Sequence, residues 1–441
     1  MRITLLALLV LISIAGCKQE PDGAYQAKAA DPERVHQSIR DITDVIVHDI
    51  FSPPVASRIY AYTSIAAYEA LVPGYPEYQS LGGQLKGLEA LPQPEAGQNY
   101  CYPLASVVAT LTVGKALIFS EDKIQEKYET RLAEFKKIGV PQDAFERSVT
   151  YGQAVAKHIL AWADKDNYKQ TRTFPKYTIT GQEDKWEPTP PDYMDALEPH
   201  WNKIRPFVLD SASQFKPEPP TPFSTDKNSQ FMKETMEVYN AFRTDTTERV
   251  AIAKFWDCNP YVSHHAGHVM FATKKITPGG HWLNIVGIAC RKANTDIMGS
   301  AAAYCLTAIA IADGFIGCWD EKYRSEVIRP ETVINKYIDE EWRPLLQTPP
   351  FPEYVSGHST ISRAASTILT SILGDNFSFT DDTEEPFGMP PRTFSSFYQA
   401  SDEASISRLY GGIHYMPGLN NGIKLGSDVG NWVLQQVKVR K

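Results

Sequence analysis

The run from Ser300 to Cys318 constrains this chain most. It is rich in Ala, Ile and Leu, carries Asp313 inside, and is bounded by Asp296 and Asp320. A buried core helix accounts for that pattern better than a membrane span does, because a span tolerates charge poorly. The surrounding sequence offers helices to enclose it. Val35, Ile39, Ile42, Val45 and Ile46 recur at helical spacing and predict a helix from Val35 to Asp49. Pro53-Pro54 is expected to break it. Further helices are predicted over Ala56–Leu71, Leu104–Phe119, Ser120–Phe135 with Ser120 as N-cap, and from Pro141 to about Asp164.

Residues 171–225 are rich in proline, tryptophan and polar residues, with little periodicity, and read as an irregular surface connection. Helices resume near Asp226, and Asp245 suits an N-cap for a short one ending at Phe255. Pro278-Gly279-Gly280 predicts a turn. Trp282–Arg291, Thr295–Cys318 and Ser359 to about Leu373 predict buried helices. Strand signals are few. The expectation is an all-α fold of two helical-bundle halves, residues 31–170 and 226–441, joined by the connection.

The N-terminus predicts the compartment. Arg2, the apolar run Ile3–Ile14 and the ending Ile14-Ala15-Gly16-Cys17 form a secretory signal with a small-small-Cys close. This is the pattern of a bacterial lipoprotein, with residues 1–17 as signal, Cys17 as the acylated residue and residues 18–30 as a polar tether. The expectation is a protein of the bacterial cell envelope, held to the membrane by its lipid alone. Acidic residues outnumber basic ones, 52 to 44, and no basic run stands out, which argues against nucleic acid as a partner. Cys101, Cys258, Cys290, Cys305 and Cys318 lack the paired short spacing of a zinc site and read as buried thiols, with at most one or two disulfides.

Three pieces in the last third can do chemistry. They are Lys322 to Arg329-Pro330, then Phe351 to Ser356-Gly357-His358, then Ser407-Arg408 to His414. A helix would put Lys322 and Arg329 on one face, and Pro330 biases Arg329 out of the helix to its end. Gly357 permits close backbone approach ahead of an apolar helical run, where an N–H can meet an anion. Two guanidinium forks, an ammonium, a hydroxyl, a backbone amide and two histidines suit a tetrahedral oxyanion, with the histidines free for proton or nucleophile work. Taken singly, Ser-Gly-His is a common turn, Lys322 and Arg329 are ordinary solvated charges, and His414 beside Tyr410 and Tyr415 is a packed core histidine. Their order and gaps distinguish them.

That order resembles the Lys-x6-Arg-Pro, Pro-Ser-Gly-His and Ser-Arg-x5-His motifs of the vanadium-dependent haloperoxidase and type 2 phosphatidic acid phosphatase superfamily, with Val355 in place of the usual proline. The resemblance implies that Lys322, Arg329, Ser356, Gly357 and Arg408 hold the equatorial oxygens of vanadate. It implies that His414 is the vanadium ligand and His358 the acid/base. Trp319 and Phe351 stand where fungal chloroperoxidase has halide-pocket aromatics. The implied activity is oxidation of halide by hydrogen peroxide. The alternative is an acid phosphatase acting on a phosphomonoester, with phosphate in the same cradle, His414 as nucleophile and His358 as acid. A third reading is a non-catalytic envelope lipoprotein that binds an oxyanion.

The third reading rests on Gly418. The family usually places an Asp there, four residues after the last histidine, to orient that ring. A backbone carbonyl, Asn420 or Asn421 is the expected substitute, since a metal-binding histidine wants a partner on its other nitrogen. Asp257 is the candidate acid to pair with an anion-site arginine. His264, His265 and His268 form a cluster in which His264 and His268 would share a helix face. No HExxH pattern follows, and they read as packing or pocket-lining residues.

Overall fold

The computed structural model describes residues 24–243, 246–266 and 268–441. Cys17, the signal and the Asp245 cap lie outside them. At the centre is the helix Ile297–Ser325, opened by Asp296, whose carboxylate accepts the Gly299 N–H at 2.6 Å. By length and composition this helix would cross a membrane, but its apolar window is entirely buried in protein. Asp313 explains itself here. Its carboxylate accepts backbone N–H groups from Phe207 (2.7 Å), Val208 (2.8 Å) and Leu209 (3.0 Å). Burial pushes its pKa up to about 6, and those three donors work against the rise. A buried charge in an apolar helix thus fastens the irregular connection to the core.

Four helices pack on the central one: Pro53–Leu71, Pro278–Lys292, Gly357–Leu373 and Met416–Gln436. Tyr102–Leu117 packs against Pro53–Leu71 and Gln142–Ala163. One large cluster of buried apolar residues reaches from Ala29 to Val437, and two smaller ones, around Phe231, Val333 and Leu419 and around Ala253, Leu346 and Ile413, stand beside it. The C-terminal helix meets Gly357–Leu373 through Gly422, Gly426 and Gly430. A Cβ at Gly422 would stand 2.8 Å from the Ser356 carbonyl, and one at Gly430 2.8 Å from Thr367 Cβ. Glycine at every fourth residue lets the two backbones touch, which seats the Ser356 corner firmly.

Several local expectations change. The first predicted helix ends at Asp49 as expected, and Pro53 and Pro54 themselves open the next, Pro53–Leu71, where a missing N–H has no partner to lose. Pro278-Gly279-Gly280 is likewise a first helical turn, capped by Thr277, which accepts the Gly280 N–H at 3.2 Å. Ser120 precedes Glu121–Lys137 but does not cap it, because its hydroxyl donates to Asp49 Oδ1 at 2.5 Å. Among the described residues, strands occur as two short hairpins, Tyr261–Ala266 with Val269–Lys274 and Phe379–Asp381 with Arg392–Phe394. His264 and His268 therefore share no helix face. His264 bonds Thr273 Oγ1 at 2.9 Å and stacks on Phe271, while His268 is exposed. The five described cysteines are buried free thiols, with no disulfide among them.

Candidate active site

A cavity of about 200 Å³ opens where the ends of several elements meet. Trp319, Phe351, Gly357, His358, Arg408 and His414 line it, joined by Pro53 from the N-terminal region and by Leu197 from the connection.

The two cations of the first piece arrive by different routes, not along one helix face. Lys322 sits in the last turns of the central helix, which ends at Ser325 with Glu326 in the left-handed region at φ 54°. Arg329 is extended (φ −77°, ψ 149°) and precedes the helix Pro330–Tyr337. Lys322 Nζ donates to the carbonyls of Pro352 (2.8 Å) and Glu353 (2.9 Å), leaving its third hydrogen free. Arg329 donates through Nε to the Phe351 carbonyl and through Nη1 to the Ile413 carbonyl, each at 2.8 Å. Nη1 also lies 3.3 Å from His414 Nε2. Arg408, near the end of Phe397–Tyr410, donates through Nη1 to the Trp256 carbonyl at 2.8 Å.

Ser356 caps Gly357–Leu373, its Oγ accepting the Ser359 N–H at 3.2 Å, so its own proton remains available. Gly357 begins that helix, where N–H groups have no helical acceptor and the dipole favours an anion. Arg329 Nη2, Arg408 Nε and His358 Nε2 are buried without hydrogen-bond partners. Buried donors are rarely left so, because an unmet one costs about 1–3 kcal/mol. Glu353 leads the charges that oppose burial at Arg329, and Asp257 does so at Arg408. The residues fit an oxyanion such as vanadate.

Burial, helped by Arg329, lowers the pKa of Lys322 to about 7, against an opposing pull from Cys318. Burial takes Arg329 down to about 10, with Glu353 opposing. Burial, then Arg408, holds His358 well below the usual imidazole value, while a bond to the Trp256 carbonyl pulls the other way. Burial, then Arg329, Lys322 and Arg408, does the same to His414. Both rings are neutral near neutral pH.

His414 Nδ1 lies 2.7 Å from Glu353 Oε1, which also accepts the Tyr415 N–H at 3.2 Å. The carboxylate fixes the tautomer: Nδ1 carries the proton, and the Nε2 lone pair is presented at the cavity beside Arg329 Nη1, 3.3 Å away. Gly418 makes this possible, because any Cβ there would run into the Glu353 carboxylate. The residue that orients His414 thus comes from the loop before Ser356, and Asn420, exposed on the C-terminal helix, takes no part. Asn421 bonds within its own helix, to the Pro417 carbonyl at 3.0 Å. Sequence reading missed Glu353. Its one signal was an acid three residues before Ser356 in a chain lacking the acid after His414.

Trp319 and Phe351 stand together at the cavity, ring centroids 4.9 Å apart, with Lys322 Nζ 4.9 Å above the Phe351 ring. Trp319 Nε1 is occupied by the Leu197 carbonyl at 3.2 Å. Asp257 pairs with Lys275 Nζ at 2.7 Å. Burial lowers the Arg408 pKa, and Asp257 leads the opposing pull.

The fold as a whole is similar to that of known proteins. Residues 336–440 match the family model of the VCPO second helical-bundle domain. The crystal structure of a bacterial vanadium-dependent iodoperoxidase is similar to this chain with a TM-score of 0.88 and 51% identity, covering 93% of this chain and 98% of that one. A bacterial vanadium-dependent chloroperoxidase shares the fold. Its holo form has a TM-score of 0.65 at 16% identity, covering 88% of this chain and 93% of that one. Its apo form has 0.65 at 17%, covering 88% and 96%. No curated protein matches the chain.

Proposed function

Because the chain belongs to the vanadium haloperoxidase family, we propose that it oxidises halide with hydrogen peroxide at a vanadate bound to His414, within a cradle of Lys322, Arg329, Ser356, Gly357 and Arg408. The observation behind this reading is the set of three buried, unpartnered atoms, Arg329 Nη2, Arg408 Nε and His358 Nε2, beside a histidine whose Nδ1 is held by Glu353. Bound vanadate supplies the centre at which peroxide's oxidising equivalents pass to halide. The chain supplies the rest. Glu353 keeps the His414 lone pair aimed at the cavity. The guanidinium groups, the Ser356 hydroxyl and the first N–H groups of Gly357–Leu373 meet the oxygens of the anion. His358, neutral in the free site, accepts a proton from peroxide at Nε2 and returns it later. Trp319 and Phe351 give the cavity an aromatic wall on which halide can rest.

Iodide is the halide we assign, supported by the 51% identical iodoperoxidase. We also propose that the protein is lipid-anchored in the bacterial envelope through Cys17, on the strength of the signal pattern ahead of it. The test of the chemistry is a halogenation assay on purified protein with iodide and peroxide, with and without vanadate. Vanadate-dependent turnover is the expected result. Phosphatase activity that vanadate inhibits, without halogenation, would instead assign phosphate to the cradle.

A further inference from the structure

A second cluster, which the reaction above does not use, begins at the cavity wall, where Cys258 is one of the lining residues. Cys258, His281, Asp381 and Glu384 come from separate places in the chain and are all essentially inaccessible to solvent. Cys258 follows the helix Thr246–Phe255, His281 sits in the first turns of Pro278–Lys292, Asp381 ends the strand Phe379–Asp381, and Glu384 lies just beyond it. His281 Nδ1 is 3.4 Å from Cys258 Sγ and 3.1 Å from Glu384 Oε1. These three donor atoms all lie within 4.8 Å of one another. The other ring nitrogen, Nε2, is 2.7 Å from Asp381 Oδ2, and Asp381 is steadied in turn by the Thr383 N–H at 3.0 Å. Trp256 stacks on the imidazole, centroids 4.6 Å apart, and fixes its plane.

We propose that Cys258, His281 and Glu384 bind a divalent cation of the zinc class, with Asp381 orienting His281. Ion-to-donor distances of about 2.0–2.3 Å for zinc place donors on neighbouring vertices of a tetrahedron about 3.2–3.6 Å apart. The two separations at Nδ1 are close to that edge. A thiolate, an imidazole and a carboxylate are the ligand types zinc takes, and three protein ligands leave one position for water. The bond from the far ring nitrogen to a carboxylate is the arrangement that metal-bound histidines favour. Glu384 Oε1 is a buried oxygen with no hydrogen-bond donor of acceptable geometry. The competing arrangement is an imidazolium between Asp381 and Glu384. It satisfies Asp381 through Nε2 and Cys258 Sγ through Nδ1 but leaves Glu384 Oε1 without a well-placed donor. A metal here joins the Cys258 segment to two other elements. That segment begins with Trp256, whose carbonyl receives Arg408, so the ion would brace the wall of the anion site.

The experiment uses the full chain without vanadate, halide or peroxide, so its outcome is independent of the catalytic reading. Protein is stripped with a chelator, reloaded with Zn²⁺ or Co²⁺, and passed through gel filtration. About one ion per chain is expected to remain, as for a single buried site. The Co²⁺ form is expected to show thiolate-to-cobalt absorption in the near ultraviolet, absent from Cys258→Ala. Glu384→Gln, nearly the same shape, guards against misfolding and should weaken retention, as should Asp381→Asn by about tenfold to a hundredfold. Wild-type protein that keeps no ion, or that binds Co²⁺ without the thiolate band, overturns the proposal.

Discussion

Glu353 and His414 form a buried carboxylate–imidazole pair, Oε1 to Nδ1 at 2.7 Å, in space that Gly418 leaves open. Glu353→Ala should weaken vanadate binding by about tenfold to a hundredfold, the usual loss when the partner of a metal-bound histidine is removed. Glu353→Gln retains an acceptor oxygen and should lose less. Vanadate titration of the stripped protein reads both, and equal loss in the two variants would mean that the charge, not the hydrogen bond, matters.

Gly418→Asp should harm the site. The new side chain enters the volume of the Glu353 carboxylate and displaces it from His414. Combined with Glu353→Ala, the same substitution should recover part of the lost affinity, because it returns a carboxylate to a vacated space. Strictly additive losses in this double-mutant cycle would rule out direct competition between the two side chains.

The two histidines should separate binding from turnover. His414→Ala should abolish tight vanadate binding. His358→Ala should leave much of it and remove most turnover, by about a hundredfold or more for a lost acid/base group. Parallel vanadate titrations and iodide oxidation rates check the split.

Anion affinity should fall as pH rises through about 7. Burial puts the Lys322 pKa there in the free protein, and an anion prefers the charged form. Below that pH the cation is present and its attraction is complete. Above it, binding must take up a proton and weakens by up to about tenfold per pH unit. Lys322→Met should bind more weakly at low pH and lose this component of the slope. Comparing the two proteins removes the ionisation of vanadate itself.

Cys17→Ser should release the protein from the membrane fraction or block its processing, read by fractionation and by the mass of the mature chain. Unchanged membrane association and unchanged mass would sink the anchor.

Much of the site was legible because its residues sit in short, ordered pieces whose types match one chemistry. Ser356-Gly357-His358 followed by an apolar run is a local signal, and so is Arg329-Pro330. The core helix was legible for the same reason. Glu353 was not. Its role depends on the absence of a side chain at Gly418, which lies on another element, and one sequence cannot show that two distant positions have traded duties. The histidines at 264 and 268 misled because a spacing of four suggests one helix face, whereas His264 stands on the strand Tyr261–Ala266 and His268 in the turn after it. The cluster at Cys258, His281 and Glu384 left no trace in spacing, since three separate elements supply it.

The connection 171–225 has two kinds of attachment to the central helix. Phe207 to Leu209 are pinned by Asp313, and the Leu197 carbonyl receives Trp319 Nε1 and, at 2.6 Å, the Tyr323 hydroxyl. Met194 and Leu197, between and beside these pins, also form part of the catalytic chamber. One wall of the chamber is therefore made from chain that has almost no regular structure and is tied to the core at separate points. That wall can drift in length and side-chain size while the anion cradle stays fixed, and it is where a lineage, or a designer, would change which organic molecules reach the oxidant.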